Sequence, residues 1–130
     1  ELDGDALATA RANERRVAAS APVHWVRGDA TRPPLAVAEP ATVVMNPPFG
    51  AQDGNRNADR EFLAVASDLA AVSYSVHNAG SQEFVEAFAA DEGGEVTHAF
   101  AAEFRIDAQF DHHTDAAREI DTEVYRIEWE

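Results

Sequence analysis

The chain contains no cysteine and no lysine, and both absences limit what it can be. Without cysteine, its 130 residues cannot form a disulfide framework or a cysteine-ligated zinc site. All ten basic side chains are arginine, against 24 acidic ones, which gives a formal net charge of −14. No run reaches the ~18 apolar residues of a membrane-spanning helix, and no signal peptide opens the chain. We therefore expect a cytoplasmic protein with no membrane partner.

The acidic surface is typical of extreme halophiles, because multimolar salt shortens the screening length to ~3 Å and suppresses self-repulsion. The alternative is an acidic domain with a basic partner. The charge has the wrong sign for a simple nucleic-acid binder, so phosphate contacts must come from local arginines or from a partner. A hydrophobic content of 45% is enough for one core in one domain.

Hydrophobic periodicity predicts an α/β fold in which strands alternate with helices. The predicted helices span 5–19, 59–70 and 81–91, and the predicted strands span 24–27, 42–45, 71–76, 95–106 and 120–129. The last two strands are predicted to pair antiparallel, and the others to form a mainly parallel sheet that is covered on both faces. Asp3 or Asp5 is a candidate cap for the first helix, Ser81 for the third, and Gly93-Gly94 ends the third.

The most informative stretch is 42–50, Thr-Val-Val-Met-Asn-Pro-Pro-Phe-Gly. Pro47 and Pro48 cannot continue a ladder, so the strand must end at Asn46, which is held extended. Its amide is then displayed beyond the carboxyl end of a strand, where ligands bind in open α/β sheets. A carboxamide oxygen beside a backbone carbonyl offers two acceptors to one amino group, and Phe49 offers a face for stacking on a base. The stretch predicts a site for a planar group that carries an amino nitrogen.

Asn46-Pro-Pro-Phe49 resembles motif IV of the S-adenosylmethionine-dependent amino methyltransferases. The longer block 44–50, the block Ala-Val-Ser-Tyr-Ser-Val-His at 71–77 and the closing blocks at 103–105 and 120–127 together resemble the methyltransferase-like 5 group, which methylates adenine N6 of small-subunit rRNA. The resemblance implies a class I, Rossmann-like methyltransferase fold with strand order 3-2-1-4-5-7-6. It identifies 1–130 as the C-terminal portion of one such domain.

In that group a first strand and a Gly-rich loop lie just before the position of Glu1, and this chain has no G-x-G pattern. The resemblance therefore implies that the chain lacks the middle strand of its sheet. We expect it to be a fragment of a longer protein, or truncated, and not a competent enzyme by itself.

The resemblance also assigns roles to residues. The Asn46 side chain and the Pro47 carbonyl would accept the two N–H bonds of the target amine, while Pro48 shapes the turn and Phe49 stacks on the base. For S-adenosylmethionine, the resemblance assigns Glu1 to the ribose hydroxyls and Leu2 to the adenine face, and it counts Asn46 among the cofactor-binding residues as well. It further assigns Asp29 to the adenine amino group and the backbone N–H of Ala30 to a ring nitrogen.

Other polar residues carry alternatives. His112 and His113 indicate a solvated acidic loop more than a metal site, and we expect no metal. His77 either faces the substrate pocket or is hydrogen-bonded at the sheet edge. Arg56 and Arg60 are either phosphate contacts or exposed charges.

Two other functions stay open, a glutamine N5-methyltransferase acting on a release factor and a non-catalytic subunit. Both methyltransferase groups work with a small zinc-binding activator of the Trm112 type, which adds a strand to a sheet edge. The resemblance places this partner at Val23–Arg27, where Val23, Trp25 and Val26 would leave apolar surface exposed.

Overall fold

The computed structural model of the chain describes residues 1–17, 20–39, 41–48, 58–106 and 118–130. Its contacts divide the chain into two compact units, unit 1 at Glu1–Ala36 and unit 2 at Val37–Glu130. The predictions for Phe49, Gly50, Arg56 and the pair His112-His113 fall outside the described residues.

Unit 1 contains one helix, α1, at Gly4–Val17. Asp3 caps it as predicted, because its carboxylate accepts the N–H of Asp5 at 2.8 Å and its carbonyl accepts the N–H of Leu7 at 3.0 Å. The cap satisfies N–H groups that have no partner within the first turn.

The strand predicted at 24–27 is wrong, since no strand occurs in the described part of unit 1. Parallel backbone pairing is present in this stretch at one position. The amino group of Glu1 donates to the Val26 carbonyl at 3.1 Å, and the Gly28 N–H donates to the Glu1 carbonyl at 3.0 Å. A strand requires such pairing along its length, and this stretch has it at one position.

Unit 2 contains the other six elements, close to their predicted positions. They are β1 at Ala41–Met45, α2 at Ala58–Leu69, β2 at Ala70–Asn78, α3 at Gln82–Asp91, β3 at Gly94–Ile106 and β4 at Arg118–Trp129. The sheet order is β1-β2-β4-β3. β1 and β2 run parallel, while β2–β4 and β3–β4 are antiparallel. The predicted C-terminal pair is confirmed, and the described sheet is mixed, with one parallel pair.

Both helices of unit 2 pack on the same face of the sheet. Leu63 of α2 and Val85 of α3 belong to one fully buried cluster with Tyr125 and Ile127 of β4. The opposite face carries Val44, whose side chain is 78% exposed. In the described part of unit 2, therefore, helices cover one face of the sheet rather than the predicted two.

The start of α3 is stabilised by a residue that lies far away in sequence. Ser81 occupies the cap position, as predicted, but its side chain caps nothing and donates to the Asn78 carbonyl at 2.7 Å. The carboxylate of Glu123 on β4 instead accepts the N–H groups of Gly80 at 3.1 Å and Ser81 at 3.2 Å. The Tyr125 hydroxyl also donates to Glu123, and these bonds hold the pKa of the Glu123 carboxyl below its usual value.

This arrangement predicts unequal effects of two substitutions. Glu123→Gln replaces one acceptor oxygen by a donor facing other donors, and we expect it to lower the free energy of unfolding by about 1.5 kcal/mol. Ser81→Ala removes one neutral hydrogen bond, and we expect a loss below about 1 kcal/mol. Urea unfolding of both variants measures the difference. A larger loss for Ser81→Ala would contradict the assignment of Glu123 as the capping group.

Candidate functional site

Asn46 follows directly on the last residue of β1, and the strand ends where the two prolines require it to. Met45 is paired in register with Ser75 of β2, so Asn46 lies level with Val76, two residues before that neighbouring strand ends at Asn78. The Asn46 side chain is exposed, whereas Pro47 is buried. The buried proline anchors the turn, and the amide is left free to meet a ligand.

Unit 1 brings the residues assigned to the cofactor next to each other. The hydrogen bond from Gly28 to Glu1 places Glu1-Leu2 beside Gly28-Asp29-Ala30. Glu1, Leu2, Asp29 and Ala30 are all exposed, and Leu2 keeps 65% of its surface in solvent. The carboxylates of Glu1 and Asp29 therefore lie on adjacent stretches, and the apolar side chain of Leu2 directly follows Glu1.

One oxygen of each carboxylate is already engaged. Glu1 Oε1 accepts the Asp3 N–H at 2.8 Å. Asp29 Oδ1 accepts the Thr31 N–H at 2.9 Å and its hydroxyl at 2.8 Å, and these bonds hold the pKa of the Asp29 carboxyl below its usual value. Both acids are thus orientated, and as acceptors they suit the hydroxyl and amino groups of an adenosyl moiety. These two hydrogen-bond acceptors fit the adenosyl part of S-adenosylmethionine.

A buried polar network lies at the carboxyl end of β2. His77 and Ser75 are completely buried, and Nε2 of His77 lies 2.8 Å from the Ser75 hydroxyl. Nδ1 lies 3.4 Å from a carboxylate oxygen of Asp59, in the first turn of α2. The ring of Tyr125 meets the imidazole edge-to-face at 5.7 Å. Of the two readings of His77, the structure selects the buried, hydrogen-bonded histidine.

The chemistry of its partners fixes the tautomer of His77. A carboxylate can only accept, so Nδ1 carries the proton and Nε2 accepts from the Ser75 hydroxyl. Burial lowers the pKa of His77 below its usual value, against the opposing charges of Asp59 and Glu123. The imidazole is therefore neutral at pH 7.

A pH dependence of stability follows. Because the folded-state pKa of His77 lies below the unfolded value of about 6.5, the neutral ring contributes stability that is fully present above that pH. This contribution is lost as the pH falls through the folded pKa. We expect the free energy of unfolding, measured in urea between pH 7.5 and pH 5, to fall with pH, and to fall less in His77→Asn. An unchanged slope in His77→Asn would contradict the assignment.

The sequence did not single out Asp59, Ser75, Glu123 or Tyr125. Ser73, Ser75 and His77 do alternate with apolar residues, but this pattern leaves open which set faces the core.

Across the described ranges, no cluster of three metal-binding side chains is present. The same residues include no helix long and apolar enough to cross a membrane.

The chain matches several curated proteins in sequence, although no protein-family model matches it. It is 33% identical over 132 aligned residues to the rRNA N6-adenosine-methyltransferase Mettl5 of Drosophila melanogaster, covering 98% of this chain and 61% of the fly protein. It is 41% identical over 86 residues to an uncharacterised protein of Methanocaldococcus jannaschii, covering 66% of this chain and 38% of that one. The chain thus spans less than two thirds of either relative.

Structural comparison gives the same relationship. The crystal structure of a candidate RNA methyltransferase from Pyrococcus horikoshii superposes with a TM-score of 0.78 at 30% identity, covering 99% of this chain and 61% of that one. The predicted α/β, Rossmann-like methyltransferase fold is therefore confirmed. By sequence and by fold, the chain is homologous to a large part of RNA methyltransferases such as the fly enzyme.

Proposed function

We propose that the protein containing this chain transfers a methyl group from S-adenosylmethionine to adenine N6 of small-subunit rRNA. The observation that carries the proposal is the exposed amide of Asn46 at the end of β1, directly before a buried proline. Its support from comparison is the 33% identity with the fly rRNA N6-adenosine-methyltransferase across 98% of this chain.

In this proposal, each residue has a task that follows from its chemistry. The cofactor supplies an already activated methyl group, so the protein has little acid–base work to do. Asn46 Oδ1 and the Pro47 carbonyl accept the two N–H bonds of the adenine amine and align its lone pair. Phe49 stacks on the base and shields it from water.

The exposed acids of unit 1 hold the adenosyl part. Glu1 has one carboxylate oxygen on Asp3, so its other oxygen is available to the ribose hydroxyls. Asp29, orientated by Thr31, accepts from the adenine amino group, and Ala30 donates its backbone N–H. Because these residues accept and donate but do not react, their loss should raise the cofactor Kd more than it lowers kcat.

The test uses the full-length gene product with radiolabelled S-adenosylmethionine in multimolar KCl. Its substrates are small-subunit rRNA from the same organism and, in parallel, a release factor from that organism. We expect label in the RNA, at N6-methyladenosine after nuclease digestion. Label in the release factor instead would establish the glutamine methyltransferase, and cofactor binding without transfer to either would favour the non-catalytic subunit.

We further propose that a small zinc-binding subunit of the Trm112 type covers residues 23–27. Val23 is 44% exposed, and Trp25 and Val26 are each 38% exposed, so three apolar side chains of one extended stretch meet solvent. The indole N–H of Trp25 already donates to Glu14 at 2.6 Å, which orientates the ring. Co-purification of the full-length protein with such a subunit, and its loss in Val26→Asp, tests this; a stable, active, monodisperse protein without the subunit would contradict it.

A further inference from the structure

The Asp59–His77–Ser75 network lies next to the candidate site, but its two members on β2 are closed to a ligand. Ser75 and His77 have no exposed surface, so neither can touch substrate. Each ring nitrogen of His77 has a partner, whereas the second carboxylate oxygen of Asp59 is buried without a hydrogen-bond partner in the described part of the chain. Burying such polar groups is costly, so the network needs a role that accounts for it. Its role must therefore be exerted through the elements that it joins.

Those elements are α2, which follows the Asn-Pro-Pro turn in the chain, and β2, which pairs with the strand before the turn. Ser75 is the register partner of Met45, the residue immediately before Asn46. Asp59 lies in the first turn of α2, the helix that follows the turn in the chain. The network thus ties the start of α2 to β2 at the level where β1 ends. Both ends of the β1–α2 connection are then fixed relative to β2.

We infer that His77 is a positioning residue for methyl transfer, and that with Asp59 and Ser75 it holds the backbone that presents Asn46. This inference rests on the proposed function. Positioning to within a fraction of an ångström matters because small misplacements of an aligned group reduce rates strongly. Loosening the network should therefore lower kcat while leaving the KM for S-adenosylmethionine nearly unchanged, since four of the five residues assigned to the cofactor lie in unit 1.

A second buried serine of β2 provides a matched control. Ser73 is also completely buried, on the same face and two residues earlier, and its hydroxyl accepts the indole N–H of Trp129 at 3.0 Å. Ser73→Ala and Ser75→Ala therefore remove the same atom from the same strand, and each leaves one buried partner unsatisfied. Both should destabilise the protein to a similar extent, but only Ser75 belongs to the network.

The experiment compares methylation kinetics of the full-length protein and both alanine variants, well below the melting temperature of each. We expect Ser75→Ala to lower kcat at least about tenfold relative to Ser73→Ala, with the same KM for the cofactor. Equal kcat values for the two variants would overturn the inference. If the wild-type protein itself methylates no adenine, the proposed function fails instead, and the two failures are distinguishable.

A pair of substitutions at Asp59 tests the hydrogen bond itself. Asp59→Asn can still bond to Nδ1, because its amide oxygen can accept the same N–H that the carboxylate accepts. Asp59→Ala cannot. We expect Asp59→Asn to recover most of the kcat that Asp59→Ala loses. Equal losses in the two variants, with normal cofactor binding, would also overturn the inference, even if Ser75→Ala fails to fold.

Discussion

In the full-length protein, Asn46→Ala should lower the rate of methylation by about 10²–10³-fold and change the affinity for S-adenosylmethionine by no more than a few-fold. The substitution removes one of the two acceptors that align the target amine. It leaves the buried Pro47 and the pairing of Met45 with Ser75 in place, so the turn itself should persist. The Asn46 side chain is exposed, and its loss should cost little stability.

The measurement is single-turnover methylation of rRNA, with cofactor binding followed by calorimetry. Asn13→Ala is a suitable control because it deletes the same amide from an exposed position in α1. We expect the control to methylate at the wild-type rate. Asn46→Ala at the wild-type rate would show that the Asn-Pro-Pro turn is not the active site.

The elements of unit 2 could be predicted because their signals are local. Two prolines end β1, and a 3.6-residue apolar period defines α2 and α3. The alternating stretches at 95–106 and 120–129 are long enough to fix their own pairing. In unit 1 the same reasoning failed at 24–27, because whether an extended stretch becomes a strand depends on neighbours along its whole length. Here the backbone hydrogen bonds to Glu1 form at Val26 and Gly28, which is pairing at one position.

The candidate site was predictable only where chemistry and backbone constraint coincide in one short motif. Asn46 could be proposed as a site residue because the prolines beside it restrict its conformation. The network of Asp59, Ser75 and His77 was not, because its members come from two elements and are brought together by the packing of α2 on β2. Glu123 was missed for the same reason, since it accepts the backbone N–H of Ser81, which lies 42 residues earlier in the chain.

The Gly93-Gly94 pair shows a further difference between what the sequence predicts and what the structure contains. The sequence predicts only that the pair ends α3, but the two glycines have different roles. Gly93 adopts a φ of 77°, in the left-handed region that favours glycine, and a Cβ there would have no neighbour within 4 Å. Gly94 is required by close contact instead, since a Cβ there would lie 2.5 Å from Cε3 of Trp129 and 3.1 Å from the Glu128 carbonyl.

Gly94→Ala should therefore lower the free energy of unfolding by about 3 kcal/mol, and Gly93→Ala by only about 1 kcal/mol. The methyl group at 94 must displace the Trp129 ring, which is 8% exposed in the core and donates its indole N–H to Ser73 at 3.0 Å. Overpacking and the loss of a buried hydrogen bond then add together. Urea unfolding in a Trp25→Phe background measures both variants, because Trp129 is then the single tryptophan of these 130 residues. We expect its emission to shift to the red in folded Gly94→Ala and to stay unchanged in Gly93→Ala. Equal losses in the two variants, with an unshifted spectrum, would show that the ring does not need the space above Gly94.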